Sequence, residues 1–65
     1  MKLLLLGIRR EKKITLVQLA ELTGLSKTTL NEFENERRMP NLEQLERIAM
    51  ALDMRMSDLY ESDYK

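Results

Sequence analysis

The sequence contains no cysteine and no histidine. Without cysteine there is no disulfide to brace the chain, no thiol nucleophile and no Cys-based zinc site. Without histidine the commonest metal ligand and the commonest general base are missing. Only carboxylates remain for acid–base chemistry. Glycine occurs twice and proline once, and there is no long β-branched run, so helix formers dominate. Long apolar stretches are absent too. The run at residues 3–6 is shorter than the 7–15 residues of a signal-peptide core and far short of the ~20 needed to span a bilayer. Arg9, Arg10, Lys12 and Lys13 follow it closely. The expectation is a cytoplasmic protein with no membrane partner, no metal, no cofactor and no small-molecule substrate.

Charge of one sign is also lacking. Eleven basic residues balance eleven acidic ones, which argues mildly against nucleic acid, since phosphate contacts supply most non-specific affinity. The distribution matters more than the sum. Residues 1–13 hold Lys2, Arg9, Arg10, Lys12 and Lys13 against Glu11 alone. Residues 41–65 hold Glu43, Glu46, Asp53, Asp58, Glu61 and Asp63 against Arg47, Arg55 and Lys65. One end is basic and offers a side to a polyanion.

Sixty-five residues make one domain, which buries only about 60% of its unfolded surface. Apolar spacing predicts a first helix over about 2–12, with Leu4, Leu5 and Ile8 on one face. Thr15 and Gln18 stand at capping-box spacing and open a second helix with a stripe of Leu16, Leu19, Ala20 and Thr23. Gly24 ends it in a left-handed conformation. Ser26 caps a third helix that runs to about Asn35. Pro40 punctuates the chain. Asn41, with Gln44 at the box position, starts a fourth helix with a stripe of Leu42, Leu45, Ile48, Ala49 and Leu52. A last short helix spans about 57–60 with Leu59 inward, and residues 61–65 form a tail. Only residues 24–26 separate the second and third helices. A three-residue turn beginning with glycine joins two helices steeply, so residues 15–35 have helix-turn-helix geometry.

Residues 8–59 resemble the Cro/cI-type (Xre) helix-turn-helix family. The resemblance rests on Ile8-Arg9, Leu19-Ala20, Gly24-Leu25-Ser26, Leu30, Phe33-Glu34, Pro40, Leu42, Leu45, Ile48-Ala49, Leu52 and Leu59, in the family's order and spacing. It implies an all-α, lambda-repressor-like bundle of five helices whose third helix enters the major groove of double-stranded DNA. It also implies a partly buried, structural ion pair between Arg9 and Glu34. The chain departs from the pattern at several points. Leu16 stands where the family usually has a phosphate-binding Gln. Lys13, Glu36 and Asp53 stand where glycine is frequent, at roughly 1 kcal/mol each for Lys and Glu if the left-handed conformation is kept. Arg55 stands at the cap of the last helix.

The third helix can be read without the family. At 100° per residue, Leu30 and Phe33 point toward the core, while Lys27, Thr28, Asn31, Glu32 and Asn35 fall on the opposite arc. Lys can donate to guanine, Asn can pair with adenine, the Thr methyl suits thymine, and Glu can accept from cytosine N4. Lys27, Thr28, Asn31 and Glu32 are therefore the base-reading candidates, with Lys27 and Thr28 foremost because the helix N-terminus usually reaches the bases. Thr15, Ser26, Asn35, Arg37 and Arg38 are the backbone candidates, at helix N-termini and in the following loop. Leu3, Leu6, Met54, Met56 and Tyr60 exceed what so small a core is expected to bury and are the candidates for a homodimer interface. The function expected is a bacterial or phage transcriptional regulator, a repressor, on a palindromic operator. The alternative is an antitoxin-like or accessory module that uses the same fold to grip a protein partner. An enzyme would rest on Glu32, Glu34 and Glu36, whose spacing of two spreads them around the helix, so enzyme activity is not expected.

Overall fold

Three of the four α-helices start where a short polar side chain satisfies one of the first unpaired backbone N–H groups. The computed structural model describes residues 1–65. In chain order it has β1 (Lys2–Leu3), α1 (Leu5–Glu11), α2 (Leu16–Thr23), α3 (Lys27–Glu34), α4 (Leu42–Leu52), a 3₁₀ turn (Met56–Leu59) and β2 (Tyr60–Glu61). At α2 the Thr15 hydroxyl accepts from the Gln18 N–H at 3.0 Å, and the Gln18 side chain accepts from the Thr15 N–H at 2.8 Å. At α4 the Asn41 and Gln44 pair repeats this exchange at 2.7 and 3.0 Å. Ser26 caps α3 by accepting from the Thr29 N–H at 3.0 Å. Each cap is worth about 1 kcal/mol.

The helices stop by a different device. All four are followed by one residue in the left-handed region: Lys13 (φ 58°), Gly24 (φ 75°), Glu36 (φ 60°) and Asp53 (φ 53°). After α1, the Lys13 N–H donates to the Arg10 carbonyl at 3.0 Å and the Ile14 N–H to the Arg9 carbonyl at 3.2 Å. After α3, the Glu36 N–H donates to Phe33 at 3.2 Å and the Arg37 N–H to Glu32 at 2.9 Å. After α4, Asp53 and Met54 bond Met50 and Ala49 in the same way. This is the paired Schellman closure, which usually has glycine at the left-handed residue. The loops at Lys13 and Glu36 therefore keep the glycine path and hold the strain.

Ten apolar residues close the core: Leu3, Leu5, Leu19, Leu30, Phe33, Leu45, Ile48, Ala49, Leu52 and Leu59. The buried polar residue, Thr23, donates its hydroxyl to the Leu19 carbonyl at 2.8 Å. No buried side-chain polar atom lacks a partner.

The structure corrects the five-helix expectation. There are four α-helices; the predicted fifth is a single 3₁₀ turn that leads directly into β2. The first helix does not start at Lys2. Residues 2–3 extend and pair antiparallel with residues 60–61, Lys2 opposite Glu61 and Leu3 opposite Tyr60. Opposite charges face each other across the ribbon, and the Leu4 N–H continues the link by donating to the Leu59 carbonyl at 2.8 Å. Pairing turns Leu3 into the core at 8% exposure, so Leu3 is not surplus apolar surface. Leu42 is corrected the other way. It occupies the first position of α4, at the edge of the stripe, and is 77% exposed. Beyond β2 the chain folds back, with the Lys65 ammonium donating to the Ser57 and Tyr60 carbonyls at 3.2 and 3.1 Å. No helix is long and apolar enough to cross a membrane.

The left-handed stops give opposite mutational signs. Glu36→Gly is expected to stabilise the domain by up to about 1 kcal/mol, as relief of left-handed strain outweighs the extra entropy of the unfolded chain. Gly24→Ala is expected to cost about 1 kcal/mol, through backbone strain rather than a clash, because an added Cβ would meet its nearest neighbour, the Arg47 guanidinium, at an ordinary 3.7 Å. Urea midpoints of the two variants and the parent check both signs.

Candidate nucleic-acid interface

The turn between α2 and α3 hangs from a threonine. Thr23 ends α2, and its buried hydroxyl oxygen accepts the Leu25 N–H at 3.2 Å. Gly24 supplies the left-handed step, and Leu25 is half-buried against the core. Ser26 then caps α3 at once, so no slack remains between the helices. Leu30 and Phe33 on the inner side of α3 are completely buried. With that side pinned, Lys27, Thr28, Asn31 and Asn35 are exposed, and Glu32 is half-exposed beside them. These side chains lie on one accessible arc. Three of them are engaged: the Asn35 amide donates to the Asn31 side-chain oxygen at 3.0 Å, and the Glu32 carboxylate lies 3.3 Å from the Arg38 guanidinium.

One guanidinium sets the pose of α3. Arg9 Nε lies 2.6 Å from Glu34 Oε2, and Nη2 lies 3.1 Å from Oε1. The same group donates through Nη1 to the Ile14 carbonyl at 2.9 Å. The side chains are only 14% and 5% exposed. The hydrogen bond to Glu34 raises the Arg9 pKa above its ordinary value, burial opposes it, and the Glu34 charge adds to the rise. A raised folded-state value means that the stabilising contribution is fully present below the ordinary arginine range. It is lost only as pH climbs through the folded value, in strong alkali.

A family model described as helix-turn-helix matches residues 6–59. The chain belongs to the Xre family of helix-turn-helix DNA-binding domains. It is also 46% identical over 51 residues to an immunity repressor protein of Bacillus phage phi105. That stretch is 78% of this chain and 35% of the relative, so the chain spans about a third of that protein's length.

Within this family member, the remaining sequence candidates separate into groups. Thr15 is exposed, and its hydroxyl oxygen receives the cap bond while its hydrogen remains free to donate. The Ser26 hydroxyl donates to Thr29 Oγ1 at 2.8 Å, so its hydrogen is already used. Arg37 and Arg38 are exposed in the loop beyond α3. The apolar candidates do not form one patch. Leu3 is core, and Met54 packs half-buried against it. Leu6 lines a shallow groove with Lys2, Gly7, Glu34 and Glu36. Met56 and Tyr60 line a different groove of about 340 Å³ together with Met1, Pro40, Leu42 and Tyr64. Sequence reasoning missed these last four residues. A helix stripe gives no hint of where a helix leaves the body, and Met1 and Tyr64 belong to no periodic segment. No group of three or more Asp or Glu residues could hold a metal ion.

Breaking the Arg9–Glu34 pair leaves one partly buried charge without its partner. Glu34→Ala is expected to destabilise the domain by about 3 kcal/mol, and Arg9→Ala by at least as much, since the Ile14 carbonyl also loses its donor. Chemical denaturation at neutral pH measures both, and a cost below about 1 kcal/mol would show that the pair is no more than a surface contact.

Proposed function

We propose that the domain is a sequence-specific DNA-binding regulator of transcription, acting as a repressor, that seats α3 in the major groove of a palindromic operator as a homodimer. The observation that carries this reading is the division of α3 between a completely buried inner side, Leu30 and Phe33, and an accessible arc of Lys27, Thr28, Asn31 and Glu32. These residues offer donors, acceptors and a methyl to base edges. Lys27 and Thr28 come first, at the N-terminal end of the helix. The Thr15 hydroxyl, Asn35, Arg37 and Arg38 serve the phosphates, and Ser26 contributes as the cap that presents the α3 N-terminus. Similarity to a phage immunity repressor favours repression by occupancy of an operator. No catalytic step enters.

The homodimer is assigned to the groove that Met56 and Tyr60 share with Pro40, Leu42 and Tyr64. Leu42 and Tyr64 are 77% and 97% exposed, which is costly to leave uncovered on a domain this small. A two-fold contact there uses the same patch twice and would set the two recognition helices about 34 Å apart.

A specific observation favours a second reading. The domain has no net charge, yet it exposes Leu42 and Tyr64, and Leu22 and Met50 in another groove. An interaction module that grips a protein partner would use such surfaces.

Two experiments separate these readings. Affinity for a mixed DNA pool, measured at about 50 and 200 mM salt, is expected to fall steeply as counterions are released. Lys27→Ala with Thr28→Ala is expected to erase site preference without moving the urea midpoint, since both side chains are exposed. A salt-independent or absent DNA signal would falsify the regulator reading and favour the interaction module. Leu42→Asp is expected to shift the chain from dimer to monomer in sedimentation and to weaken operator binding at least tenfold, with the fold intact. An unchanged sedimentation profile would exclude this groove as the interface.

A further inference from the structure

The arc of α3 that faces outward contains one acid, Glu32, where a row of phosphates is to be approached. An isolated carboxylate there is repelled by the backbone of every DNA sequence alike. The structure does not leave it isolated. Its Oε1 lies 3.3 Å from Arg38 Nη1, which leaves Oε2 unengaged. The main chain converges on the same residue. The N–H groups of Arg37 and Arg38 donate to the Glu32 carbonyl at 2.9 and 3.4 Å, because the left-handed Glu36 turns the chain back over the end of α3. The loop is thus built onto Glu32 through its backbone, and Arg38 meets the carboxylate from that fixed base.

We propose that Arg38 is a positioning residue for sequence discrimination: its guanidinium holds and neutralises the Glu32 carboxylate at the outward face of α3, so that the free oxygen accepts from the amino group of a cytosine in the major groove. This rests on the base-reading role given to α3 above. An ion pair this exposed adds little to folding, and its consequence lies in recognition. A carboxylate accepting from cytosine N4 is a sound base contact, but only if phosphate repulsion is offset nearby. Arginine is suited to this because its fork keeps its geometry while it shares donors with a carboxylate or a phosphate.

The test is a set of binding profiles on duplexes selected by the unaltered chain from a random DNA pool, measured for R38A, R38K, E32Q and the double variant E32Q/R38A. Unchanged far-ultraviolet dichroism and urea midpoints confirm folding, as expected for side chains that sit outside the core. R38A is expected to reduce discrimination at one base pair of each half-site by about tenfold, beyond any general loss of affinity. E32Q is expected to flatten preference at that same base pair. R38K keeps the charge without the fork and is expected to recover only part of the preference. In the E32Q background, removing Arg38 is expected to change affinity but leave the preference profile untouched. If R38A weakens all duplexes equally, with the salt slope reduced by about one and the profile intact, Arg38 merely touches a phosphate and the proposal is overturned. It is also overturned if the R38A profile change persists in E32Q. If the unaltered chain selects no sequence at all, the base-reading role of α3 falls, and this proposal with it. That outcome is distinct from selection that survives loss of Arg38.

Discussion

One guanidinium joins the three segments that define the site. Arg9 projects from α1, bonds both oxygens of Glu34 at the end of α3, and holds the carbonyl of Ile14, the residue just before the α2 cap. The start of α2, the end of α3 and the body of α1 are therefore fixed to a common point. Apolar packing alone does not achieve this. Leu30 and Phe33 hold α3 against the core, but packing is non-directional and leaves rotation of an eight-residue helix weakly specified. A two-pronged ion pair with low exposure is directional. It costs desolvation, so it is a weak source of stability in itself. Its effect lies in the angle at which α3 stands out from the body.

The helix ends show the same bias of the fold over the local sequence. Four helices stop on a left-handed residue, and only one of these is glycine. Lysine and glutamate at Lys13 and Glu36 carry strain of about 1–2 kcal/mol each. A domain that buries eleven residues has little stability to spare. The closures after α1 and α3 persist because their N–H groups donate to last-turn carbonyls, and because the residues they place are used: Ile14 receives Arg9, and Arg37 and Arg38 return to Glu32. A relaxed loop at Glu36 would be free to carry both arginines away from α3.

Much of this was legible in the sequence because it rests on local rules. Thr15–Gln18 and Asn41–Gln44 are capping boxes at the expected spacing, Gly24 is the left-handed stop, and Leu30 and Phe33 have the helical phase that buries them. What escaped was non-local. A ribbon of two-residue strands has no period, and nothing in residues 2–3 announces a partner at residues 60–61, so Leu3 read as surplus when it belongs to the core. The inward Leu59 suits a short helix and a single 3₁₀ turn equally well, and residues 60–61 are claimed by the ribbon. Leu42 fits the α4 stripe by phase and is exposed by position, since the first turn of α4 runs past the body. The arc of α3 was legible as a list of chemistries; the link from Glu32 to Arg38 was not, because it depends on the path of the loop after Glu36.

Charge neutrality bears on how such a domain would act. A protein with a large positive excess holds DNA of any sequence through counterion release, and base contacts only add to that. Here the acids match the bases in number, and an acid stands on the recognition arc itself. For a domain of this charge that binds DNA, non-specific affinity would be weak, and more of the binding free energy would have to come from contacts that depend on sequence. A single domain with so few phosphate partners would bind its half-site loosely. Two domains joined through the Leu42 and Tyr64 groove would bind the second half-site as an intramolecular event, raising affinity without new contacts. If α3 reads bases and two domains pair through this groove, the exposed apolar groove and the acid on α3 would be coupled features: the acid would lower affinity for wrong sites, and pairing would restore affinity at the right one.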